Sequence, residues 1–333
     1  MTAQAKTPSV RIFTPDALSN EDYQALPQRS GSFLHRLLTH SPAKAMFGEI
    51  PSRKALDFGI WSHAMMLEPE RFAEAYCRDF DPSIYESIMT KGQDYKDWLK
   101  DRGMKVSGTN AELIERILET KEAVHIEDVE RDKYRIERTA ALRDDVEFIP
   151  VADYDKIEAM RHSLMLDEDR AKMFAGGFSE MSIVTDEFKC RPDLITAGEW
   201  LANYKTTLDA EPEKFGRKAT DMGYPMRAVL ECELFKQAYG HYPAGYAIVA
   251  QEKDIPYLCK TFVIMDRSRS GRIDPSSPEW HAEQPAAWQL GRKQLGAAIK
   301  KYRACRDANS WPGLGGAEDL PISEWVLKRE GVL

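Results

Sequence analysis

Two arms decide the reading of this chain: Cys190-Arg191-Pro192-Asp193-Leu194-Ile195 and Glu199-Trp200-Leu201-Ala202-Asn203-Tyr204-Lys205-Thr206-Thr207, joined at Thr196-Ala197-Gly198. Apolar and aromatic residues fill both arms and a glycine sits between them, so the pair reads as two strands around a turn. Asp193 lies on the first strand; ten residues on, Asn203 begins the triplet that ends in Lys205 on the second. Residues i and i+2 share one face of a strand, and the turn brings Asp193 towards that face. A carboxylate, an amide oxygen and a lysine then converge, as magnesium-dependent phosphodiester chemistry requires. Hard oxygen ligands suit Mg²⁺, which acidifies a bound water and neutralises phosphate charge. The lysine orients or deprotonates the water, or stabilises the crowded phosphate. Taken alone, the same pattern also fits a surface hairpin with a stray acid and lysine.

Outward from this stretch the periodicity alternates. Phe178 to Ile195, Glu199 to Tyr204, Ala244 to Gln251 and Tyr257 to Met265 read as strands. Helices are predicted over residues 30–40 with a serine N-cap, from Leu56 to Phe72, from Val151 to Leu166, over Glu211 to Tyr239 with a break near Gly223, and from Pro285 to Ala308. Residues 1–27 read as an extended lead-in, 126–150 as a charged hairpin and 267–283 as a loop. The sum is an α/β chain, a small central mixed sheet flanked by helices.

Composition excludes several classes. The 333 residues are 43% hydrophobic and 30% charged, enough apolar material for a core. No apolar run approaches the ~20 residues of a membrane span, and the polar start lacks a signal peptide's apolar stretch, so a cytoplasmic protein is expected. The five scattered cysteines form no CxxC pair, which argues against zinc ribbons and iron–sulfur clusters. A net charge of −8 argues against a protein that coats DNA through global charge, but leaves room for local basic grooves.

Pro192-Asp193, the ten-residue step and the closing lysine resemble the PD-(D/E)xK nuclease motif. Gly59 and His63, within the stretch Ala55 to Phe72, resemble the G-x-x-x-H helix of RecE-type exonucleases (exodeoxyribonuclease VIII-like), in which the histidine is a further metal ligand. Ser30-Gly31-Ser32 with Ser41-Pro42, Phe178 to Ser182 with Glu180, Gly223 to Ala228, and Trp311-Pro312-Gly313 extend the resemblance over residues 25–80 and 150–330. It implies a PD-(D/E)xK restriction-endonuclease-like core over residues 28–330. The implied activity is a Mg²⁺-dependent exodeoxyribonuclease, with Mn²⁺ able to substitute, that digests the 5′-ended strand of linear double-stranded DNA. The implied setting is a ring-like homo-oligomer, trimer or tetramer, working on DNA ends beside a single-strand annealing protein in phage or prophage recombination. The implied catalytic residues are Lys205, Asp193, Asn203 and Glu180. The implied metal ligands are His63, Asp193, Asn203 and the backbone carbonyl of Tyr204. A histidine among apolar residues is otherwise an ordinary core residue.

Two positions depart from the family. Asn203 stands where an acid is expected, which removes charge from the metal site and is expected to weaken or abolish cleavage. An engineered Asp→Asn change is the preferred account, natural decay the second, and Asn203→Asp is expected to give strong digestion. Arg227 replaces the usual glutamine and has the planar fork to meet a phosphate, though a solvent-facing arginine fits as well. Ser30 and Ser32, with Arg29 or Arg36, are candidates for a 5′-phosphate pocket at a helix N-terminus, or form a plain N-cap. Lys293, Lys300, Lys301 and Arg303 line a DNA channel or a solvated basic face.

Residues 84–120 lie between the two blocks of similarity, are expected to form an inserted module, and carry a second resemblance, to the SAP motif, a small helix–turn–helix module that often binds DNA. Its matches are Leu99, Gly103, Met104, Val106, Gly108, Leu113, Ile114 and Ile117. Gly103 fits a helix end, and Thr109 with Glu112 fits a capping box. Lys100, Arg102, Lys105 and Arg116 are its candidate phosphate contacts, while Asn110 replaces a residue that is often basic. Two other functions remain: a catalytically dead DNA-end-binding scaffold, and a RecB-family nuclease acting on single strands. The scattered cysteines argue against the four-cysteine branch of the latter.

Overall fold

The structure is a computed structural model that describes residues 9–49, 57–271, 273–317 and 319–332. Its centre is a mixed five-stranded sheet in the order Cys259–Asp266, Gly245–Glu252, Trp200–Thr207, Leu194–Ile195, Phe178–Ser179. Trp200–Thr207 and Gly245–Glu252 run parallel; every other neighbouring pair is antiparallel. Parallel strands need a long crossover, and helices Pro212–Asp221 and Tyr224–Tyr239 supply it. Gly223 between them has φ 68, and a Cβ there would lie 2.3 Å from the His35 ring, so the junction requires glycine.

Helices cover both faces of the sheet. On one side Leu201, Tyr246 and Ile248 join the Tyr224–Tyr239 helix and the overlying Ala286–Asp307 helix in the main core. On the other, Tyr204 and Val249 pack with Met66, Met160 and Leu164 from helices Asp57–Leu67 and Val151–Met165. This α/β architecture is the restriction-endonuclease-like core that the sequence predicts. Among the described residues no helix is long and apolar enough to cross a membrane.

Several expectations are corrected. The strand expected over 178–195 is four short ones. Phe178–Ser179 and Leu194–Ile195 join the central sheet, while Ser182–Val184 and Phe188–Cys190 build a second sheet with Arg11–Phe13 and Arg29–Ser30. Glu180 turns the chain between them at φ 52, and Pro192 offers no N–H to a ladder. The lead-in therefore contributes a strand, and also the helix Asn20–Ala25. Residues 126–150 hold no hairpin but the helix Glu127–Ala141, followed by Glu147–Ile149 paired in parallel with Tyr76–Arg78. Glu127, Asp128 and Glu130 at its start and Arg138 at its end suit the helix dipole, which a search for apolar period overlooks. The Leu56–Phe72 helix is divided at Glu68, because Pro69 opens a new helix, Pro69–Ala75; Leu56 itself lies outside the described residues. The 267–283 loop contains the short helix Pro278–Ala282.

Helices Gly92–Asp101 and Asn110–Glu119 form their own small core of Tyr95, Leu99, Leu113, Ile117 and Ile126. Gly103 follows the first helix at φ 65, and Thr109 and Glu112 make the expected reciprocal capping box.

Candidate metal and nucleic-acid cleft

Leu194 is the first residue of the short strand beside Trp200–Thr207, and on its N-terminal side, at Asp193, the ladder fails. Side chains replace the missing rungs. The Asp193 N–H donates to Asn203 Oδ1 at 2.9 Å, and the Tyr204 N–H donates to Asp193 Oδ2 at 2.8 Å. The same Oδ2 accepts from Lys205 Nζ at 2.8 Å and meets His63 Nε2 at 2.9 Å. His63 arrives from the helix on the opposite face of the sheet, and its Nδ1 lies 3.5 Å from Glu180 Oε1. No hydrogen bond falls on Asp193 Oδ1 among the described residues.

His63, Glu180 and Asp193 each offer a ligand atom, and these atoms lie within 4.8 Å of one another. An imidazole and two carboxylates are a donor set that fits a divalent cation. Electrostatics agree. Burial works to raise the Asp193 pKa, but Lys205 and His63 together outweigh it and hold the carboxyl well below the usual range. Burial works to lower the His63 pKa, and the Asp193 charge reverses it, giving a net rise. Burial, with the Asp193 charge added, pushes Glu180 up to about 7. Glu180 also holds a left-handed backbone conformation, a cost that tends to persist at functional sites.

The cluster lines a cleft of about 920 Å³. Ser30, Ser32, Arg29, Arg36 and Arg227 line it too, so these candidates share one cavity with His63, Glu180 and Asp193. Ser30 Oγ caps the Gly31–Thr39 helix through the Phe33 N–H. Gly31 makes room for Arg227: a Cβ there would stand 2.8 Å from the arginine Cγ. Asn203 is buried beside the cluster, and its amide nitrogen bonds Glu231 and Tyr246. Tyr204 meets the cluster through its N–H, while its hydroxyl donates to Gln251.

Other candidates fall elsewhere. Lys100, Arg102 and Lys105 do not line the cleft. Arg102 pairs with Glu122 and stacks on Trp98, and Arg116 holds the Lys105 and Ser107 carbonyls, so both brace the 92–119 helix pair itself. Lys301 donates to the Leu37 and His40 carbonyls, and Arg303 pairs with Glu187, which docks their helix on the rest of the fold.

Three cleft residues escape the sequence reading. Lys189 binds the carbonyls of Tyr23, Gln24 and Leu26, and Arg191 binds that of Leu18, fixing the Asn20–Ala25 segment as a cleft wall. Their targets are over 160 positions away in the chain, so no local pattern marks them. Glu231 does carry a signal: it follows Arg227 by one helical turn and faces the same way. Burial, reinforced by Asp193 and opposed by Arg227, brings its carboxyl to about 7.

No curated protein matches the chain in sequence. In backbone it is similar to a crystal structure of an exonuclease candidate from Eubacterium rectale, at 12% identity and a TM-score of 0.34, over 77% of this chain and 100% of that one. At that TM-score the likeness fixes neither fold nor reaction. The family comparison is stronger: residues 38–321 match the family described as a PDDEXK-like domain of unknown function (DUF3799). With most of its length covered and Asp193 and Lys205 in contact, the chain belongs to that family and so to the PD-(D/E)xK nuclease superfamily.

Proposed function

We propose that the protein is a RecE-type, Mg²⁺-dependent exodeoxyribonuclease that digests the 5′-ended strand of linear double-stranded DNA. The observation that carries this reading is the joining, in one cleft, of the His63–Glu180–Asp193 donor set with the cap of Ser30 and the arginines Arg36 and Arg227. A divalent cation on the donor set supplies charge neutralisation at the phosphate and acidifies water. Lys205, held on Asp193, places an ammonium where negative charge builds on the scissile phosphate. Glu180 completes the donor set with His63 and Asp193. Arg227 and Arg36 offer planar forks to a terminal phosphate. In this reading the insert is a SAP-like accessory module, the active form is a homo-oligomer on DNA ends, and a single-strand annealing protein takes the 3′ tails.

A second reading, a DNA-end-binding scaffold, is favoured by the missing acid at position 203. Digestion of 5′-labelled linear double-stranded DNA with and without Mg²⁺ separates the two. The nuclease reading expects Mg²⁺-dependent loss of the 5′ label, reduced at least ~100-fold in Lys205→Ala. End binding with no digestion in either Mg²⁺ or Mn²⁺ would select the scaffold.

A further inference from the structure

One carboxylate of the cleft has no part in the family resemblance. Glu231 is 8% exposed, yet it lines the cleft with Asp193, Glu180 and His63. Its Oε2 accepts from Tyr246 Oη at 2.9 Å and from Asn203 Nδ2 at 3.3 Å. Among the described residues Oε1 receives no hydrogen bond, and no cationic side chain forms an ion pair with Glu231; Arg227 acts on it only from a distance. A buried carboxylate without a cation is costly to hold ionised.

Asn203 joins this group to the metal cluster. Its Oδ1 accepts the Asp193 N–H, and its amide nitrogen faces Glu231 and Tyr246. One end must accept and the other must donate towards a carboxylate; a carboxamide does both, whereas an ionised aspartate only accepts. An aspartate at position 203 would keep the first contact and set two buried carboxylates against each other.

We infer that Glu231 is an acidic group of the cation-binding cleft, supplying from a helix the carboxylate that the family resemblance expects on the strand at position 203. Asn203 is then the native bracket between Glu231 and Asp193, and position 203 needs no acid. Glu231 stands outside the His63–Glu180–Asp193 cluster and serves a neighbouring position in the same cleft. The inference rests on the reading of the cleft as a metal-dependent nuclease site.

The test is Mn²⁺ affinity of the full chain by titration calorimetry, with Tm and DNA digestion read in parallel. Glu231→Gln keeps the side chain's shape and an oxygen for its two donors. It is expected to weaken Mn²⁺ binding at least ~10-fold with Tm nearly unchanged. Adding Asn203→Asp to Glu231→Gln returns the carboxylate to the strand and keeps an amide opposite a carboxylate. That double variant is expected to recover most of the affinity, which a purely structural Glu231 would not allow. Parent-like Mn²⁺ affinity and digestion in Glu231→Gln would overturn the assignment while leaving the nuclease reading intact. Should that variant fail to fold, the double variant decides: parent-like affinity supports the inference, and lost affinity with Tm retained overturns it. A parent chain that neither binds Mn²⁺ nor digests DNA overturns both readings.

Discussion

Asp193 gathers three donors on one carboxylate oxygen: a backbone N–H, an ammonium and an imidazole. That crowding keeps it ionised, whereas Glu180 and Glu231 nearby are brought to about 7. The split has a measurable consequence. An unfolded glutamate titrates near ~4.3, so both glutamates have folded pKa values above their unfolded ones. The stability they give is fully present below that unfolded value and is lost as pH rises through about 7. His63, also raised, loses stability in the same direction above its unfolded value. Asp193, depressed, gives stability that is already complete in this window. Metal-free protein should therefore show a Tm that falls as pH rises from about 5 to about 8, and saturating Mg²⁺ should flatten the fall. Scanning calorimetry at several pH values checks this, and a metal-free Tm that rises across the window would contradict the assignment of both glutamates.

At the scale of elements, the helix pair Gly92–Asp101 and Asn110–Glu119 closes a small core of its own with Ile126. The two helices give four of its buried side chains, Ile126 gives the fifth, and the pair relies on local devices, among them the Thr109–Glu112 capping box and the Arg116 clasp on the turn. Thr109→Ala removes one side of the box and should cost about 1 kcal/mol. Because so small a core opens locally before the sheet does, the loss should appear as faster amide exchange across 92–119, with Trp200–Thr207 unaffected. The capping box was legible because it is written within four consecutive residues. Asp193 and Lys205 were legible for a related reason: strand alternation and one tight turn place them together. The helix Glu127–Ala141 was not, since its charge pairs rather than an apolar stripe support it. Glu231 shares a helix face with Arg227, but its link to Asn203 was hidden by distance, 28 residues away across the crossover. The strand breaks in 178–195 depend on Glu180 and Asp193 being drawn to one point, which no local propensity encodes.

At the scale of the molecule, a net charge of −8 means that any hold on DNA is concentrated in patches. The cleft offers Arg29, Arg36 and Arg227. The insert offers Lys100 and Lys105, whose ammonium groups make no hydrogen bond or ion pair among the described residues, unlike Arg102 and Arg116, which are committed to its internal structure. Counterion release turns this division into a slope. Each phosphate neutralised on duplex DNA contributes about −0.9 to the dependence of log K on log salt. Three cleft contacts predict a slope of about −3, and engagement of the insert steepens it to about −4.5. Lys100→Ala with Lys105→Ala should then return the slope to about −3 while Mn²⁺ affinity stays at the parent value, because neither lysine lines the cleft. Binding of labelled duplex ends in Ca²⁺ across a salt series measures it. An unchanged slope in the double variant would take the insert out of the DNA interface and leave it as a contact between copies of the chain or a brace for the fold.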